Sequence, residues 1–417
     1  MAKRAIFLFN PSRMIKRFGL LILLLLWSGC VLSAEAAVVR TGLDMLDDSL
    51  CSGLRGKKVA LITNAAALTS EGEPGYAVLL RNGVDLRFLM APEHGFSVDV
   101  EAGKRVSGTV VQDTLKVHSL YGASKKPDAR LLGAVDLVVF DLQDVGARCY
   151  TYISTMKLAM EACEEAGKSF MVLDRPNPIS PVAPSGFMAE KEFESFVSAV
   201  DVPFVHGLTI GEIAQFLQKT RFRKLQLQVV RMAGYDRRLF GDELRGFTFR
   251  SPSPNIRNVE TAIVYPATVM LEATTVSEGR GTDAPFLQFG APYIRGDELS
   301  RQLAGYALPG VAFRAVEFTP RSGKFKGERC SGVRVAVTDR TLFEPFTVSA
   351  AILLSLHRSY KEKLGLEKGA DFFDRLAGTS RFRRMITGQA SLRNIIEAAE
   401  RDVDLFIRNN GDIRLYP

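Results

Sequence analysis

VDLVVFD, residues 135–141, is an almost unbroken apolar run that ends on a carboxylate. A strand with one wet face alternates apolar and polar residues. A run that is apolar on both faces belongs to a strand covered from both sides, the habit of parallel sheets. Three more stretches have this composition. Lys58–Asn64 reads KVALITN, Leu86–Met90 reads LRFLM and is followed by Pro92-Glu93-His94, and Phe170–Asp174 reads FMVLD. Val117–Gly122 is a shorter candidate. Helices are predicted between them, over Gly75–Asn82 and Tyr152–Ala166. In the second, Ile153, Met156, Met160 and Cys163 recur at spacings of three, four and three, and Gly167 stops the helix. Strands alternating with helices give an α/β fold built on a parallel sheet. Ligands of such open sheets bind beyond the carboxyl ends of the strands. Asn64, the Glu93-His94 pair, Asp141 and Asp174 all fall on that rim, so the rim is where a site is expected.

Working outward, a second α/β domain is predicted over residues 205–417, after a first over 38–204. Thr209 is placed to cap a helix from Ile210 to Lys219, with Glu212 as the third residue of a capping box. Leu225–Met232 alternates like a strand. Ser251-Pro252-Ser253-Pro254-Asn255 is a rigid loop. The apolar segment Ala262–Leu271 runs into Glu272. Ser277-Glu278-Gly279-Arg280-Gly281-Thr282 reads as a charged loop whose glycines let it close over a site. Helices follow over Pro345–Tyr360 and Ser391–Asp404.

Residues 1–36 stand apart. Lys3, Arg4, Arg13, Lys16 and Arg17 precede an apolar stretch from Phe18 to about Leu32, then the small-residue run Ser33-Ala34-Glu35-Ala36-Ala37. This is the layout of a cleaved secretory leader. The apolar stretch of roughly 15 residues is short for a membrane span of about 20. Cys30 makes a poor lipid-attachment site, because bulky Trp27 stands where a leucine is usual. The reading is therefore an exported protein, periplasmic or extracellular, with no stable membrane span after cleavage. Losing five cations and one anion lowers the formal charge from +8 to +4. That is too weak to imply nucleic acid and mildly favours anionic ligands. Of the cysteines left, Cys149 and Cys163 lie fourteen residues apart. Helical rise would separate them by about 21 Å, beyond the disulfide reach of about 7 Å, so buried free thiols are expected.

Several chemistries find no motif: there is no Gly-x-Ser-x-Gly elbow, phosphate-binding loop, His-Glu-x-x-His helix or Gly-x-Gly-x-x-Gly turn. No cofactor is called for. With only His94, His118, His206 and His357, no histidine-rich metal site is expected, although a carboxylate-rich one stays open. What remains is carboxylates, arginines and tyrosines. Glu93 heads the candidates, its freedom limited by Pro92 and Gly95. Asp141, Asp144 and Arg148 form either part of a site or an ion-pair network of their own. Asp174 with Arg175 is a ligand clamp or an internal pair. Tyr150 and Tyr152 stack on a sugar or fill the core. Two carboxylates flanking a cleft fit glycoside hydrolysis.

Taken together, several stretches resemble the exo-β-N-acetylmuramidases of bacterial cell-wall recycling, long known only as a domain of unknown function. They are Leu61–Asn64, Pro92-Glu93-His94-Gly95, Ser119-Leu120-Tyr121-Gly122, Phe140–Ile153, Leu173–Pro178, His206–Thr209, Pro252–Asn255 and Ser277–Thr282. The resemblance runs from residue 40 to the C-terminus. It implies a Rossmann-like first domain, a second α/β domain and an active-site cleft between them. The implied substrate is a peptidoglycan fragment, with release of N-acetylmuramic acid from its non-reducing end. It implies Glu93 as the catalytic glutamate. The second carboxylate is assigned to Glu278, with Asp141 and Asp144 as rivals. Asn64, His94, Asp144, Arg148, Tyr150, Tyr152, Asn177, His206 and Arg280 join Asp141, Asp174 and Arg175 as substrate-binding candidates. Arg148, Arg175 and Arg280 are the arginines able to pair with the lactyl carboxylate of muramic acid. Two positions depart from the family pattern: Ser185 where an acid is expected, and Tyr235 where a tryptophan is expected. The alternative is a muropeptide-binding protein without turnover.

Overall fold

The computed structural model describes residues 37–111 and 114–417. The predicted leader and its Cys30 lie outside the described residues. Among the described residues the parallel strands fall where the apolar runs are. They are β1 (Lys58–Thr63), β2 (Asp85–Ala91), β4 (Leu115–Ser119), β5 (Leu137–Asp141), β6 (Ser169–Leu173) and β7 (Leu227–Val230). A short antiparallel strand, β3 (Thr109–Val111), adds to one edge. The sheet order is β3-β4-β2-β1-β5-β6-β7. Counting the parallel strands alone, this is the 3-2-1-4-5-6 order of a doubly wound sheet, with its switch point between β1 and β5.

The two-residue period of the strands divides the core. Ala60, Ile62, Val138 and Phe140 point to one face, and Val59, Leu61, Leu137 and Val139 to the other. The first face is covered by the helix Tyr152–Glu165 through Ile153, Met156 and Met160. The second is covered by the helices Gly42–Asp48 and Gly75–Arg81 through Leu43, Leu46, Val78 and Leu79. Each such side chain taken fully out of water contributes about 1.5–3 kcal/mol, which is why both faces had to be apolar.

The large sheet continues past residue 204, because β7 pairs in parallel with β6. Between them Thr209 and Glu212 form the predicted capping box at the start of the helix Ile210–Thr220. Further on, the apolar segment becomes the helix Val259–Thr268, continued by a 3-10 turn, Val269–Ala273, that carries Glu272. A second, antiparallel sheet had no counterpart in the sequence reading. Its strands β8 (Gln288–Ala291), β9 (Val311–Phe318) and β10 (Cys330–Val337) lie in the order β8-β10-β9. Helices at Pro345–Leu364, Ala370–Ala377, Arg381–Thr387 and Leu392–Asn410 complete the chain. The cysteines at 51, 149, 163 and 330 are free and buried. No helix among the described residues is long and apolar enough to cross a membrane.

Candidate active site

The acid and base of Pro-Glu-His-Gly sit at the tip of β2 because the backbone there is forced out of extended geometry. Pro92 ends the pairing, and His94 turns the chain at φ +72°, followed by Gly95 at +76°. A positive φ at a residue with a side chain costs about 1–3 kcal/mol. Two bonds hold it: His94 Nδ1 donates to the Val100 carbonyl at 2.7 Å, and Val100 N–H donates to the His94 carbonyl at 3.2 Å. A carbonyl only accepts, so the imidazole proton is on Nδ1 and Nε2 is left as an acceptor. Burial lowers the pKa of His94, against the opposing pull of the Glu93 carboxylate. The ring is neutral at pH 7.

Glu93 is buried and surrounded by donors. Its Oε1 accepts from Gly103 N–H at 2.8 Å and its Oε2 from the Thr151 hydroxyl at 2.7 Å. The Tyr121 hydroxyl lines the same cleft and lies in the field of this carboxylate. The pKa of Tyr121 is pushed up to about 12 by burial and by the Glu93 charge, so this phenol keeps its proton. Beneath, Asn64 Nδ2 donates to the Tyr152 hydroxyl at 2.9 Å, and that hydroxyl meets the backbone carbonyls of Pro252 (2.5 Å) and Glu93 (3.5 Å). Asn64 and Tyr152 therefore support the Glu93 backbone from inside the protein.

Glu93 and His94 open into a cleft of about 470 Å³. The first half of the chain supplies Tyr121, Lys125, Tyr150 and Thr151. Phe196 lies in that half too, and Ser253, Tyr265, Glu272, Arg280, Phe286, Phe372 and Arg375 come from the second. Its wall is strongly aromatic, as suits a sugar ring. Tyr150 lies at 29° to His94 with ring centroids 6.5 Å apart, and Tyr265 meets Phe286 edge-on at 4.7 Å.

Among the described residues two carboxylates line this cleft, Glu93 and Glu272. Glu272 belongs to a network that begins with Arg280, whose Nη2 reaches it at 2.7 Å while Nη1 reaches Glu278 at 3.2 Å. Lys324 Nζ approaches Glu278 at 3.2 Å. The two acids are driven apart. Burial raises Glu272, with Arg280 only partly offsetting it. Burial would raise Glu278 as well, but Lys324 and Arg280 together pull it below the ordinary glutamate value. Glu278 is thus a doubly paired anion behind Arg280, and Glu272 is the carboxylate that reaches the cleft.

The loop that carries Glu278 and Arg280 is tied by backbone bonds to the strand beside it. Ser277 and Gly290 exchange both backbone bonds at 2.9 Å, and Phe286 N–H donates to the Glu278 carbonyl at 2.8 Å. Gly279 has φ +82°, and a Cβ there would lie 2.6 Å from the Gln288 carbonyl. Gly279 is needed there for close packing.

Several predicted binding residues lie elsewhere. Arg148 is fully buried and donates to the carbonyls of Phe187 (2.7 Å), Val202 (2.8 Å) and Ala377. Burial lowers its pKa to about 10. Asp141 holds Arg175 through Nε (2.6 Å) and Nη2 (3.0 Å). Asp174 accepts from the Arg175 and Gly211 backbone N–H groups and from the Thr209 and Tyr416 hydroxyls. Asn177 bridges Leu208 and Ile179, and His206 pairs with Asp144 at 3.1 Å. These groups bond to one another or to nearby backbone and do not line the cleft. Ser185 forms a backbone bridge with Val205, and Tyr235 packs edge-on against Tyr416. Neither lines the cleft.

Other cleft residues were not singled out. Tyr121 sits inside a motif that was read, and Glu272 is the acid that ends the apolar run from Ala262. Lys125, Phe196, Phe372 and Arg375 carry no pattern that marks them in advance.

Comparison with known proteins gives a consistent result. The family model described as exo-beta-N-acetylmuramidase NamZ, N-terminal, matches residues 59–260, and its C-terminal counterpart matches residues 263–416. Over 387 residues the chain is 41% identical to the peptidoglycan beta-N-acetylmuramidase NamZ of Bacillus subtilis (strain 168), covering 92% of this chain and 93% of that one. Two solved structures of DUF1343 family proteins from Bacteroides fragilis NCTC 9343 share the fold. One has a TM-score of 0.84 at 31% identity, the other 0.72 at 26%; each covers 91% of this chain and 99% of its own.

Proposed function

The chain belongs to the exo-β-N-acetylmuramidase NamZ family and is a peptidoglycan glycosidase, and from that premise we propose that it releases N-acetylmuramic acid from non-reducing ends, with Glu93 as general acid/base. The observation that carries this reading is the pairing of Glu93 with a second carboxylate, Glu272, on the walls of one aromatic cleft. In the proposed reaction Glu93 protonates the glycosidic oxygen as the bond to the anomeric carbon breaks, and then takes a proton from the attacking water. Glu272 faces the positive charge that develops on the sugar ring. Arg280 holds Glu272 in place, and Thr151 and the Gly103 N–H hold Glu93. The aromatic wall carries the ring faces.

Export is proposed on the sequence of residues 1–36, whose basic start, short apolar core and small-residue end form a leader. It would bring the enzyme to a substrate made of cell wall.

Glu93→Gln tests the assignment. Removing a general acid costs about 10²–10⁴ in rate when the leaving group is a sugar. A p-nitrophenyl leaving group departs with less help and should suffer less. The assay is release of free muramic acid from a muramyl disaccharide beside release of p-nitrophenol from p-nitrophenyl β-N-acetylmuraminide. Wild-type rates for Glu93→Gln on the disaccharide would remove Glu93 from the mechanism.

A further inference from the structure

The cleft contains three cations, Lys125, Arg280 and Arg375. Two are occupied. Arg280 is shared by Glu272 and Glu278, and Arg375 pairs with Asp371. Lys125 has no carboxylate partner among the described residues. Its Nζ lies 4.1 Å from the Phe196 ring centroid and 4.8 Å from that of Tyr121. Both rings line the cleft and lie 5.5 Å apart. Two aromatic faces thus hold a half-buried ammonium at the cleft wall, with its donors unspent. Tyr121 links this ammonium to the reaction centre, because it lines the same cleft as Glu93 and carries Lys125 on its ring face.

We propose that Lys125 is the residue that recognises the lactyl carboxylate of muramic acid, and so a determinant of specificity for muramic acid over sugars without that group. The inference rests on the substrate reading given above. Its chemistry follows from placement. The lactyl ether is carried on C3 of the sugar, two carbons round the ring from the anomeric carbon. A sugar whose glycosidic oxygen meets Glu93 therefore has its anion within a short distance of that carboxylate. Lys125 is the cleft cation one tyrosine ring away from Glu93 whose charge is still available. Arg148 and Arg175, the sequence-based candidates, are buried on protein acceptors, and Arg280 is neutralised by two acids.

The test compares wild type, Lys125→Met and Lys125→Arg on p-nitrophenyl β-N-acetylmuraminide and on the same glycoside with the lactyl group converted to its neutral amide. Calorimetric binding of N-acetylmuramic acid and of its lactyl amide is measured alongside. A charge-assisted hydrogen bond sets the expected size. Lys125→Met should raise KM about 10- to 100-fold for the carboxylate substrate, leave the amide substrate unchanged, and leave kcat nearly so. Lys125→Arg should recover most of the loss. An equal effect on both substrates, or no effect on either, overturns the proposal while leaving the hydrolase reading intact. Carboxylate-dependent binding that is lost in Lys125→Met, in a protein that turns over neither substrate, supports the proposal and defeats the hydrolase reading. A wild type that neither binds nor cleaves defeats both.

Discussion

Replacing Arg148 by methionine separates two accounts of one residue. From sequence this arginine is a candidate substrate ligand or a member of an ion-pair network. In the structure it is a buried brace that donates to three backbone carbonyls from three segments, Phe187, Val202 and Ala377. Ala377 ends the helix Ala370–Ala377, where a cation also meets the negative end of the helix. That helix supplies Phe372, Arg375 and Leu376 to the cleft. Methionine fills much of the same space without a donor, so three carbonyls lose their partners. Each buried unsatisfied group costs about 1–3 kcal/mol. Allowing for relaxation and water entry, Arg148→Met should cost about 4 kcal/mol. This is a large share of a domain stability of about 5–15 kcal/mol. At about 2 °C per kcal/mol for a large domain, Tm should fall by about 8 °C. The assay is thermal unfolding followed by circular dichroism, with kinetics measured well below the transition. Loosening of the helix should lower kcat/KM for muramic and neutral glycosides alike. An unchanged Tm with a KM raised only for the carboxylate substrate would refute the brace and restore Arg148 to the site.

Other outcomes follow from neighbouring features. Tyr121→Phe removes a hydroxyl that lies in the field of Glu93 and should lower kcat about 10-fold if it donates to that carboxylate on substrate binding, the effect of one hydrogen bond to a charged group, with Tm within 2 °C of wild type; an unchanged pH–rate profile and rate would show that the phenol does not position the acid. Gly279→Ala places a Cβ against the Gln288 carbonyl at a φ of +82° and should cost about 1–3 kcal/mol in stability along with most activity, read by urea unfolding and turnover; a neutral result would mean that the loop yields easily. Asp174 has its pKa raised by burial from 3.8 to about 6, with the Tyr416, Gly211 and Thr209 donors only partly offsetting it. The folded state then binds this proton more tightly than the unfolded state, so stability is highest below pH 4 with respect to this group and is lost as pH rises to about 6. The size is about 3 kcal/mol, and urea midpoints of wild type and Asp174→Asn between pH 4 and 7 should converge or diverge accordingly; parallel curves would show that Asp174 does not titrate in that window.

The parallel sheet was legible because its cause is local. A strand covered on both faces has to be apolar throughout, and Val59–Ile62, Leu137–Phe140 and Phe170–Leu173 are. The rim was legible for the same reason, since a polar residue after each run marks where the strand leaves the core. Sequence does not show which of those polar groups already has a partner. Asp141 finds Arg175 thirty-four residues on, and Asp174 finds Tyr416 across 242 residues. Both are satisfied inside the protein, while Glu93 faces the cleft. The acid that lines the cleft beside Glu93 lies six residues before the one assigned from sequence. Glu278 sits in the more conspicuous motif, but Lys324, forty-six residues away, turns it inward. The antiparallel sheet went unseen because β9 is half exposed and its pattern, VAFRAVEF, does not alternate cleanly. Lys125 and Phe196 meet only through tertiary structure.

The latch at Asp174 also bears on how the molecule is made. The Tyr416 hydroxyl donates to Asp174 at the tip of β6 and accepts from the Met232 backbone N–H, while the Leu415 N–H donates to Glu212. A nascent chain holding all seven strands of the large sheet still lacks these partners until residue 416 has been synthesised. The sheet's rim carries a buried acid without its donor until that segment arrives, so the step that seals β6 is a long-range contact across 242 residues and closes late in folding.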